Sequence, residues 1–168
     1  MNKINSFLDK MRIPIFIIVI TTTIILFTTL FVIIYTDVIG LDIDTEKSYS
    51  IDKANKFWGL QAMYVFMMTI IFMPLIETLI FQTLLYNLLI LFNSVKNNSF
   101  ILISISALIF GVSHSFHPFI ILQIGIAGFF LMFAYILKSR SRNQFDAYLI
   151  VFGIHALRNI VPFIYKII

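Results

Sequence analysis

Apolar residues run along this chain in long blocks cut by short polar breaks, a pattern that predicts buried or membrane-crossing helices rather than half-exposed strands. Residues 13–36 form the first block, behind Lys3, Lys10 and Arg12. At ~1.5 Å per residue it is long enough to cross a bilayer. A cleavable leader has an apolar core of about 7 to 15 residues ending in small side chains. This block instead continues into Leu30, Phe31, Val32 and Ile33, so an uncleaved anchor is expected. Residues 41–56 carry Asp42, Asp44, Glu46, Asp52 and three lysines and predict a loop. Residues 57–92 are almost unbroken apolar sequence interrupted by Pro74 and Glu77, about 54 Å if helical throughout. Two spans here would need a turn at Met73-Pro74-Leu75-Ile76, which has no polar side chain to satisfy freed backbone in lipid. One long helix kinked near Pro74 is expected, its first turns held along the interface by Trp58. Beyond the polar break at 93–98, blocks at 100–116 and 119–137 are separated only by His117 and Pro118. A basic run at 138–142 and a last block at 145–165 complete the pattern.

The reading is an all-α, polytopic transmembrane helical bundle of about five spans, with six as the alternative. Loop charge separates the two. Five spans with a cytoplasmic N-terminus place Lys3, Lys10, Arg12, Lys96, Lys138, Arg140 and Arg142 inside, against Lys47, Lys53, Lys56 and Lys166 outside. Six spans would move Lys96 and the 138–142 run outward. Residues 1–56 are then an anchor helix with an extracytoplasmic loop, and residues 57–168 the core.

Composition narrows the chemistry. The 168 residues are 60% hydrophobic and 12% charged, far from the soluble norm of roughly a quarter charged. A net charge of +4 would suggest nucleic acid in a soluble protein; here the basic residues sit in flanks and loops, where they set topology, and no nucleic-acid partner is expected. The absence of cysteine removes disulfides, thiolate metal sites and a thiol nucleophile.

Glu77, His114, His155 and Asn159 stand inside the apolar blocks, where an ionisable group costs at least ~2.5 kcal/mol on insertion scales. In the five-span arrangement Glu77, His114 and His155 lie about 24, 21 and 17 Å along their helices from the inner ends, depths compatible with one site. Residues four apart share a helix face, which groups Glu77 with Phe81, Thr78 with Gln82, Phe110 with His114, and His155 with Asn159. A carboxylate and an imidazole flanking one water can deprotonate and orient it for attack on a peptide carbonyl. A second imidazole and a carboxamide can donate to the oxyanion that develops. Taken singly, each residue has a plainer reading: Glu77 as a structural partner of Arg158, a histidine as a packing group, His117 as a loop residue beside Pro118.

Together the segments 74–82, 106–114 and 155–159 resemble the CPBP family, the CAAX prenyl endopeptidases of the Rce1 type with the bacterial bacteriocin-processing and self-immunity (Abi) proteins. Its motifs Glu-Glu-x-x-x-Arg, Phe-x-x-x-His and His-x-x-x-Asn fall in that order on successive core helices, and the likeness covers residues 57–162. The resemblance implies an Rce1-like core and an intramembrane endopeptidase in a bacterial plasma membrane, acting on a membrane-associated protein or peptide precursor. It assigns Glu77 as the water-activating base, His114 as its companion, and His155 with Asn159 as the oxyanion pair, with Thr78, Phe81, Gln82 and Phe110 supporting them. No cofactor is implied, although Glu77, His114 and His155 with a water would also make a catalytic zinc shell. Two positions depart: Thr78 stands for the second glutamate and Gln82 for the arginine. Losing both together avoids an unpaired buried charge, a cost of several kcal/mol.

Two other readings compete. A non-catalytic membrane adaptor or bacteriocin self-immunity protein would keep the polar cluster as packing. Gly111-Val112-Ser113-His114 partly matches the rhomboid Gly-x-Ser-Gly, with His155 as base, but its fourth residue differs and Glu77 would be idle. The chain has no His-Glu-x-x-His motif and no intramembrane aspartate pair, which excludes site-2 and presenilin-like proteases.

Overall fold

A computed structural model of the chain describes residues 3–38, 60–115 and 117–167. The expected loop at 41–56 and Trp58 lie outside the described residues. Each apolar block forms helix. A short α1 (Lys3–Lys10) leads into α2 (Ile13–Ile33), which continues as a π-helical turn, Ile34–Val38. Next come α3 (residues 60–89), α4 (Asn93–Lys96), α5 (Ser99–Val112), α6 (Pro118–Ser141) and α7 (Gln144–Ile167), with no strand among the described residues.

Local chemistry sets the ends. Asn98 caps α5, its Oδ1 accepting from the N–H groups of Phe100 and Ile101 at 3.1 and 3.3 Å. Pro14 and Pro118 occupy the first turns of α2 and α6, where a missing N–H costs nothing. Lys138 and Arg140 sit in the last turn of α6, where the helix dipole favours positive charge.

α3 is one helix, as expected, with no turn at Pro74. Two π-helical stretches, Met67–Phe72 and Thr78–Leu84, flank the short α-helical segment Met73–Glu77. Pro74 cannot donate to the carbonyl one turn behind it, and the widened stretch before it absorbs that misfit.

The core is shared by α2, α6 and α7, where Phe16, Ile20 and Ile24 pack with Leu131, Tyr135, Val151 and Ile154. Glycines bring α5 and α6 together: a Cβ at Gly111 would run into the backbone of Ile121, and one at Gly125 would touch the Ala107 carbonyl at 3.4 Å. Gly111 is therefore accounted for by helix contact, not by a rhomboid-type loop. Buried Lys138 fastens α1 to the bundle, its Nζ donating to the carbonyls of Leu8 and Asp9 at 3.2 and 3.0 Å and lying 4.2 Å from the Phe16 ring centroid.

The outside is apolar. Leu79, Leu84, Leu88, Leu108, Leu122 and many others are exposed, an area that a lipid bilayer covers favourably. Ile13–Asp37, Met63–Leu89 and Pro118–Ser141 are long and apolar enough to cross a membrane. The protein is an integral membrane helical bundle. The third predicted block differs in extent: α5 has 14 residues, about 21 Å, and ends before His114. His114 thus sits in the turn after a helix, not in the middle of a span.

Candidate active site

α3, α5 and α7 converge on a cavity of about 250 Å³ lined by Thr69, Met73, Glu77, Phe110, His114, Ile124, His155, Arg158 and Asn159. Glu77 enters from the junction between the α-helical segment of α3 and its second π-helical stretch. His114 is placed by the closing turn of α5, where the N–H of Ser113 donates to the Ile109 carbonyl at 3.0 Å and that of His114 to Gly111 at 3.1 Å. His155, Arg158 and Asn159 come from one face of α7.

One carboxylate oxygen is the meeting point. Glu77 Oε2 lies 3.5 Å from His114 Nε2 and 3.4 Å from His155 Nε2. The three side chains differ in access: His155 is 2% exposed, Glu77 16% and His114 26%, so the cluster has a sealed side and an open one.

The second nitrogen of His114 settles its tautomer. Nδ1 is 2.7 Å from the Phe110 carbonyl, which can only accept, so Nδ1 carries a proton. Nε2 is then the atom left to exchange a proton at Glu77. Ser113 Oγ donates to the same carbonyl at 2.8 Å and lies 3.1 Å from His114 Nδ1; it does not line the cavity. Asn159 Nδ2 donates to the carbonyl of Thr69 at 3.1 Å. Thr69 lies in the first π-helical stretch, where the ordinary helical ladder is interrupted, and its carbonyl is a fixed anchor for the amide. Arg158, the partner considered for Glu77, lines the same cavity and approaches Asn159 Oδ1 at 3.4 Å.

Aromatic packing holds this geometry. The Phe110 ring lies 4.5 Å from that of His114 and 5.9 Å from that of His155, and Phe81 meets Phe110 edge-on at 5.2 Å. Behind Phe110 stands Gly128 of α6, where a Cβ would fall 2.8 Å from Phe110 Cδ1 and 3.0 Å from its Cβ. Gly128→Ala should displace Phe110 and with it His114. The expected result in a peptidase assay is a kcat lower by roughly 10- to 100-fold, the scale of sub-ångström to ångström misplacement, in a protein that still melts cooperatively. Unchanged kcat would show that Phe110 does not position the histidine.

Of the residues singled out from the sequence, Glu77, His114, His155, Asn159 and Phe110 share the cavity, and Phe81 supports it. Thr78 and Gln82 are fully buried and do not line it. His117 precedes α6 at the surface and lies outside the cavity. Thr69 was not anticipated, since a main-chain carbonyl leaves no mark on side-chain pattern. No group of three or more His, Cys, Asp or Glu arranged to hold a metal ion occurs among the described residues.

A family model described as type II CAAX prenyl endopeptidase Rce1-like matches residues 59–161. No curated protein and no solved structure gives a significant match. The matched stretch holds all three converging motifs and more than half of the 168 residues. On that match the chain belongs to the Rce1-like family of type II CAAX prenyl endopeptidases, a family of membrane proteases.

Proposed function

We propose that the protein is an intramembrane endopeptidase in which Glu77 activates the water that cleaves a peptide bond. The observation that carries this is the approach of both histidine Nε2 atoms to one oxygen of Glu77 in a cavity open on one side. A water bound by Glu77 and His114 loses its proton to the carboxylate as its oxygen attacks the scissile carbonyl carbon. The negative charge that develops on the carbonyl oxygen is met by N–H donors of His155 and Asn159. As the C–N bond breaks, the proton held by Glu77 passes to the departing amine. Water, acid and amine are the only groups consumed or released.

The substrate class is a peptide held at the membrane, of the CAAX type or a peptide precursor related to bacteriocins. A farnesylated C-terminal peptide incubated with the purified protein tests this; the expected result is a single cut, read from product masses. Metal analysis belongs to the same experiment. Cleavage by protein free of stoichiometric zinc is expected, and loss of cleavage on zinc removal would contradict the metal-free mechanism.

Thr78 and Gln82, which stand where the family motif has charged residues, favour a second reading: a non-catalytic membrane adaptor or immunity protein. On that reading Glu77→Gln leaves partner binding intact and no peptide is cut.

A further inference from the structure

Polar side chains continue along α3 beyond Glu77. Thr78, Gln82 and Thr83 fall in the second π-helical stretch, whose i→i+5 bonding keeps residues four and five apart on one face. All three therefore point into the bundle. Thr78 and Gln82 are wholly buried, and Thr78 Oγ1 and both amide atoms of Gln82 make no hydrogen bond with protein, while Thr83 Oγ1 has only a loose contact with the Tyr135 hydroxyl. The hydroxyl of Tyr135, from α6, stands beside Thr83 and is likewise buried without a hydrogen bond of good geometry. Polar atoms left dry at membrane depth would forfeit a large part of a protein's net stability.

Water has the chemistry these atoms need. Gln82 Nε2 and the hydroxyl hydrogens need acceptors, and Gln82 Oε1 needs a donor, so a bare cation could not satisfy the set whereas water does both. The polar line also leads somewhere. The Tyr86 ring meets Tyr135 edge-on at 5.4 Å. One residue on, Asn87 and Gln144 exchange hydrogen bonds of 3.3 and 3.0 Å at the exposed end of the bundle. From Asn87 back to Glu77 is about 15 Å along the helix.

We propose that Thr78, Gln82, Thr83 and Tyr135 line an internal water track that supplies Glu77 from the Asn87–Gln144 end of the bundle. Its supply role rests on the hydrolytic reading of Glu77; its hydration does not. The pair that departs from the family motif thereby gains a use: neutral, water-binding side chains in place of charged ones.

The chain has no cysteine, so one introduced thiol is the sole target of aqueous silver ion. Thr83→Cys should react at least 10-fold faster than Leu84→Cys, at a position where the native leucine is 56% exposed on the apolar surface. The readout is protection from a fluorescent maleimide added after denaturation. Equal or slower reaction at position 83 would overturn the track whatever the peptidase assay gives. The second arm joins Gln82→Leu to Thr83→Val. The expected result is a kcat at least 10-fold lower at unchanged KM and melting temperature, with Thr83→Ser retaining the rate. If Glu77→Gln stops cleavage and the double variant cleaves at full rate, supply through the track is refuted. If the wild type cleaves nothing, the hydrolytic reading and with it the supply role fail, while fast silver reaction at position 83 still supports the hydrated track.

Discussion

Glu77→Gln abolishes peptide cleavage, lowering kcat by about 10³- to 10⁴-fold, the upper range for a general base. Glutamine keeps the size of the side chain and a carbonyl oxygen for His114 and His155, so the cavity keeps its shape. What it loses is the capacity to take a proton. Because the substrate's contacts with the rest of the site persist, KM should change little, and the loss falls on kcat. Melting in detergent should stay within a few degrees of wild type. The direction of any stability change is itself informative: removing a charge from a site only 16% exposed should not destabilise the fold if the carboxylate is kept for chemistry. A variant that cleaves at more than a tenth of the wild-type rate would remove Glu77 from the mechanism.

His155→Ala lowers kcat by about 10²- to 10³-fold, the scale for losing one oxyanion donor. His155 is the most enclosed member of the cluster, with its Nε2 directed at the Glu77 oxygen and its ring against Phe110. A donor in so dry a place is worth far more than one in water. His155→Gln restores an N–H near the position of Nε2 and should recover at least 10-fold of the loss. Packing alone would predict the reverse ranking for His155→Phe, an apolar ring of similar size, and His155→Gln. Kinetics of the three variants on one farnesylated peptide separate the two roles.

Much of this site was legible because its residues are costly where they stand. An ionisable or amide side chain in an apolar block calls for a partner, and the four-residue spacing of Phe110 with His114 and of His155 with Asn159 places each pair on one face. The single course of α3 through Pro74 was legible for the same reason: a turn there had nothing to satisfy its backbone. Other features carry no such mark. The close approach of α5 to α6 at Gly111 and Ile121 is a tertiary fact. The π-helical stretches that expose the Thr69 carbonyl and gather Thr78, Gln82 and Thr83 have no periodicity of their own over so few residues. Thr78 and Gln82 are placed beside Glu77 by the family motif, whereas in the fold they are buried and do not line the cavity.

The most direct measurement is comparative peptidomics of membranes carrying the wild-type protein or Glu77→Gln, with each sample incubated in ¹⁸O-labelled water. Peptides that appear only with the wild type and carry one ¹⁸O in the new terminal carboxyl group are expected, since hydrolysis leaves the oxygen of the activated water there. Identical, unlabelled peptide sets from both membranes would contradict peptide hydrolysis at Glu77.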